Sequence, residues 1–89
     1  MEQRSRLQVL NSGDQSTTVV VEPWANEHQV PPNSELTLVA IHPNVVPYFG
    51  VERFEKGLVV WVQESGSTYE AWRGSDMLYR TDNAIPQVP

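Results

Sequence analysis

At 89 residues, 39% of them hydrophobic and 19% charged, the chain has material for one domain with one core and is too apolar for wholesale disorder. Its formal charge of −5, with only six Lys and Arg, excludes the basic stripe that a nucleic acid or an anionic membrane would select. With no cysteine there are no disulfides, thiolate zinc sites or thiol nucleophiles, which fits a reducing compartment.

The opening MEQRSRLQVLNSG lacks the apolar core of a signal peptide, and the longest apolar run, Leu58 to Val62, is far short of a membrane span. A cytoplasmic location is the expectation. No stretch sustains a helical apolar stripe, because Pro and Gly recur and the segments between them favour Val, Thr, Trp, Tyr and Phe.

In chain order, the pattern predicts short strands over 6–10, 17–23, 27–30, 34–42, 47–55, 58–64, 67–73 and 76–81. Asn11-Ser12-Gly13-Asp14 reads as a loop. Pro23 ends the second strand, and Trp24 after it is expected to cap the edge of the core. Pro31-Pro32-Asn33-Ser34 fits a type II turn in which Asn33 tolerates positive φ. Lys56-Gly57 and Ser65-Gly66 read as two-residue hairpin loops, and Arg73-Gly74-Ser75 as another turn. The expected fold is therefore all-β, a small antiparallel sandwich or partly closed barrel of about seven or eight strands ending in a C-terminal meander. Residues 1–81 form the domain, and 82–89, with two prolines and little pattern, form a tail that is ordered only if it docks.

The two hairpin loops fix a register in which side chains alternate between faces. Glu55 then pairs with Leu58, Phe54 with Val59 and Glu52 with Trp61, while Trp61 faces Glu70 and Val59 faces Trp72. One face carries Phe49, Val51, Leu58, Val60, Val62, Tyr69 and Ala71 and reads as the core. The other carries Gly50, Glu52, Phe54, Val59, Trp61, Gln63, Thr68, Glu70 and Trp72, three large aromatics among two carboxylates. A free antiparallel face is normally polar. Either residues 6–42 cover this one, or Phe54, Trp61 and Trp72 form an exposed contact patch, or the register slips at Gly57 or Gly66.

Glu52 and Glu70, placed on either side of Trp61, invite comparison with a glycosidase pair, yet nothing visible would raise the pKa of one, so both are expected to be solvated. His28 and His42 lack metal-ligand spacing, even with Glu27 or Glu35 added, and are expected to be structural. Serine and aspartate fall in turns, and no nucleophile elbow or phosphate loop occurs. Neither a catalytic residue nor a cofactor is expected.

The segment VVVEPWANEHQVPPNSELTLVA, Val19 to Ala40, resembles small bacterial β-domain proteins of unknown function that carry a Glu-Pro-Trp element followed by Pro-Pro-Gly and a Leu/Val-rich strand. Asn33 stands here where Gly is more usual, and the likeness extends through YEAWRGS, Tyr69 to Ser75. The resemblance implies a β fold, no established activity and no catalytic residues. The expected function is a non-enzymatic interaction or structural module, with a protein partner or a second copy meeting Phe54, Trp61, Trp72, Glu52 and Glu70. The alternatives are a small-ligand or carbohydrate binder stacking on Trp61 and Trp72, and a cupin-like metal-dependent enzyme.

Overall fold

Alternating apolar side chains bounded by turn residues favour strands that bury one face each, and the computed structural model, which describes residues 1–86, consists of eight strands and no helix. These are β1 (Gln3–Asn11), β2 (Thr17–Glu22), β3 (Asn26–Val30), β4 (Ser34–His42), β5 (Tyr48–Phe54), β6 (Gly57–Gln63), β7 (Thr68–Arg73) and β8 (Asp76–Arg80). They make two four-stranded sheets, β1-β4-β7-β8 and β3-β2-β6-β5, packed as a sandwich and not as a closed barrel. Among the described residues, no helix is long and apolar enough to cross a membrane.

The core lies between the sheets. Val9, Leu36, Leu38, Ala40, Tyr69 and Ala71 enter it from one side, and Val19, Val21, Val30, Val60 and Val62 from the other. Leu7, Trp24, Phe49, Leu58 and Ile85 pack around its rim. Val51 has the parity of a core residue but is 50% exposed, because β5 is an outer strand over which the core does not extend.

The expected turn at Asn33 forms with φ 57°, and Asn11 organises its loop by donating to Gln15 and Val30 carbonyls while accepting from the Gly13 amide. Arg73 ties β7 to both sides of the β3–β4 connection, which crosses between the sheets, donating to the carbonyls of Gln29 and Glu35. The tail docks as far as it is described. Ile85 exchanges backbone hydrogen bonds with Gly66 and Ser67, and the remainder of the tail, 87–89, lies outside the described residues.

Two connections depart from the expected register. The β5–β6 loop is Glu55-Lys56, so Phe54 pairs with Gly57, Glu52 with Val59 and Gly50 with Trp61. That shift is two residues, which preserves every side chain's face. The β5–β6 and β7–β8 hairpins of the expected meander both form, but the Ser65-Gly66 link between them crosses from one sheet to the other. Strand β7 therefore pairs with β4 and β8, and β6 lies beside β2 in the single parallel pairing among the described strands.

Candidate functional site

The crossing at 64–67 decides where the expected site residues stand. Phe54, Glu52 and Trp61 lie on the outer face of the β3-β2-β6-β5 sheet, whereas Glu70 and Trp72 lie on the outer face of the other. Trp61 and Glu70 are not neighbours, and the paired-carboxylate geometry does not form. A stacking platform shared by Trp61 and Trp72 is likewise absent. The expected five-residue patch is two surfaces on opposite sides of the molecule.

The first surface is continuous with the strand register. Its rows run Gln29–Thr18–Gly57–Phe54, then Glu27–Val20–Val59–Glu52, then Glu22–Trp61–Gly50. Trp61 is 37% exposed, and neighbouring Tyr48 is 59% exposed. Residues 6–42 do not cover it; they supply the adjoining strands β2 and β3 instead. The indole Nε1 of Trp61 donates to Glu52 Oε1 at 2.9 Å, from the diagonal position on β5. Glu22 Oε1 is covered yet accepts no hydrogen bond among the described residues. These rows carry Glu22, Glu27 and Glu52 and no lysine or arginine.

The second surface has the opposite balance at its centre. The row Arg6–Val39–Glu70–Arg80 crosses all four strands, with Arg4 and Trp72 beside it. Glu70 is only 5% exposed, contrary to the solvated carboxylate expected, because Trp72 and the arginine stems stand over it. It accepts from Trp72 Nε1 at 3.0 Å, and Arg4 and Arg80 approach it at 3.7 and 3.9 Å. Arg4 also holds Glu2 at 3.0 Å, whereas Arg6 has no side-chain partner among the described residues. The cleft lined by Arg4, Arg6, Val39, Glu70 and Trp72 measures about 370 Å³.

Both histidines are held by the protein itself. His42 Nδ1 accepts from the amides of Asn44 and Val45, which requires its Nε2–H to donate to Ser65 carbonyl at 2.9 Å. His28 Nε2 meets the Tyr69 hydroxyl at 2.9 Å, and Asn26 Nδ2 donates to the same oxygen at 3.0 Å. His28 and Asn26 thus converge on one phenol oxygen. Trp24 and Tyr79 flank the phenol at 4.9 and 5.6 Å between ring centres, so Trp24 caps the core edge as expected, with its Nε1 donating to Asn83 carbonyl. Among the described residues no three His, Asp or Glu side chains converge as metal ligands would.

Burial holds His28 below the ordinary imidazole range and pushes Tyr69 up to about 12; the Asn26 hydrogen bond opposes the rise and Tyr79 adds to it. The unfolded chain protonates His28 near about 6.5, so stability is full above that pH and falls as the pH drops towards the lower folded value. For Tyr69 the raised value means stability is full below about 10 and is lost as the pH climbs towards the folded value. Urea midpoints measured between pH 7.5 and pH 5 are expected to decline, with a shallower decline in His28→Gln. An equal slope in the two proteins would remove His28 as the cause. In alkali, a late 295 nm absorbance step is expected that Tyr69→Phe abolishes.

The sequence pattern marked Trp61, Phe54 and Glu52 correctly as one surface. It missed Arg4, Arg6 and Arg80, whose only signal was the outward alternation of the first and last strands. No family model matches the chain, and no curated protein or solved structure matches it.

Proposed function

We propose that the protein is a non-enzymatic interaction module that meets a protein partner through the outer face of the β3-β2-β6-β5 sheet. The observation that carries this reading is Trp61, left 37% exposed on an outer face it shares with Val20, Val59 and Phe54, on a sheet whose other face already fills the core. An aromatic so placed contributes nothing further to the core, and aromatic anchors of this kind dominate binding energy when a partner covers them. Glu22, Glu27 and Glu52 around it, with no cation in the same rows, favour a partner that brings Lys or Arg. The cysteine-free composition suits a cytoplasmic setting for such a contact.

A photo-crosslinking amino acid at Val59, beside Trp61 on this face, tests the reading in the producing cells. One discrete protein adduct is expected, greatly reduced by Trp61→Ala, and absent when the crosslinker is moved to the exposed loop position Val46. No adduct from Val59, or the same adducts from both positions, would refute the assignment.

A further inference from the structure

Resting on that reading of the Trp61 face, we infer that its partner is a second copy of this chain, which docks through its own Arg4–Arg6–Arg80 face. The sheet edges are poor alternatives. Arg53 points to the core side of β5, Asn26 and His28 do so on β3, Ser5 on β1, and β8 carries a register shift at its pairing with Ala71 and Trp72. Inward polar groups and bulges are the devices that keep edge strands from pairing with other chains. Association is left to the faces.

Charge then decides which faces meet. Placing two Trp61 faces together sets Glu22, Glu27 and Glu52 against their own copies, and placing two arginine faces together sets Arg against Arg. Only the unlike pairing brings complementary charge. Three of the six Lys and Arg in an acidic chain, Arg4, Arg6 and Arg80, surround one nearly buried carboxylate. Arg6 has no partner among the described residues, and Arg80 only a long one, so both guanidinium groups retain donors for an incoming carboxylate. Glu22 Oε1, covered and without a donor, sits beside Trp61 on the surface they would approach.

Geometry sets the strength and the form. Four strands about 4.8 Å apart and about 20 Å long present roughly 400 Å² per face. The pair would bury about 800 Å² in total, below a standard stable interface, so the contact belongs to the weak, transient class. Because the two surfaces differ and lie on opposite sides of the sandwich, the contact is heterologous and each added copy leaves a free face at both ends.

Sedimentation equilibrium at low salt tests this with two variants and their mixture. Wild-type protein is expected to show an average mass that climbs from 10.1 kDa with concentration and passes the dimer without a plateau. Raising the salt reverses the climb. Arg6→Glu/Arg80→Glu and Glu27→Lys/Glu52→Lys are each expected to stay monomeric, yet to associate when mixed and to grow as alternating copies, because the two reversed faces complement each other as the two native ones do. The corresponding glutamine variants, which also serve should a charge reversal fail to fold, leave a neutralised face at each end and are expected to be monomeric alone and to stop at a 1:1 dimer on mixing. A wild type that stays monomeric near millimolar concentration, a plateau at the dimer, or a mixture that does not pair overturns the inference. A Val59 adduct to a different protein alongside a monomeric wild type leaves the interaction face standing and removes only the second copy. Loss of that adduct removes the face itself.

Discussion

Gly57→Ala is expected to cost about 3–5 kcal/mol, combining strain at a positive φ with overpacking against a neighbouring backbone. Gly57 adopts φ 155°, and a Cβ there would stand 1.9 Å from the carbonyl oxygen of Thr18. That oxygen belongs to β2, and the contact lies at the start of the parallel β2–β6 pairing, where the Thr18 amide donates to Lys56 carbonyl at 3.0 Å. Neither backbone has freedom to retreat, since β2 and β6 place Val19, Val21, Val60 and Val62 in the core. For a domain with a total stability of roughly 4–13 kcal/mol, such a loss leaves a large unfolded fraction. Gly74 is the control. It also has positive φ, 59°, but a Cβ there meets nothing within 4 Å, so Gly74→Ala should cost only about 1 kcal/mol. Urea unfolding of the two variants, followed by tryptophan fluorescence, should separate them widely; similar losses would show that φ and not the Thr18 contact matters at Gly57.

Tyr69→Ala should be comparably severe, at about 3–5 kcal/mol, because it empties the largest fully buried side chain of the core. Tyr69→Phe keeps the ring and isolates the hydroxyl. It leaves Asn26 Nδ2 and His28 Nε2 without the oxygen they share, at an expected cost of about 1–3 kcal/mol. Beyond the side chain, the Tyr69 backbone closes the end of β8, its carbonyl accepting from the Thr81 amide and its own amide donating to Thr81 Oγ1. Those bonds persist in both variants, so the comparison measures core packing and the hydroxyl alone. A loss under about 0.5 kcal/mol for Tyr69→Phe would mean that Asn26 and His28 find water instead.

Gly57 also shows how the strand pattern was legible while its pairing was not. A glycine after lysine between two apolar runs carries the signal of a hairpin turn, and a hairpin does form there. The glycine is needed for something else, the close approach of β2, a strand some 40 residues earlier in the chain. Local sequence holds no trace of that neighbour. The register therefore moved by two residues, and because alternation has period two the faces survived the move. Ser65-Gly66 carries the same local signal, yet its chain crosses between sheets with Glu64 at φ 93° and Gly66 at φ 91°. Here the consequence for the site was large: Trp72 and Glu70 left the surface of Trp61 and joined Arg4, Arg6 and Arg80.

What the amino-acid sequence determined by itself is what each strand does alone: its existence, its approximate limits, and which of its side chains point together. Alternation and turn chemistry act within a few residues, so Trp61 with Glu52 and Phe54, Asn33 in its turn, and Trp24 at the core edge were all readable. Strand order, the parallel β2–β6 pair and the crossing at 64–67 were decided only by tertiary structure, because they depend on which apolar faces close over one another to fill a single core. The same closure turned one mixed aromatic face into two, acidic around Trp61 and arginine-flanked around Trp72, and buried Glu70 among side chains drawn from four strands.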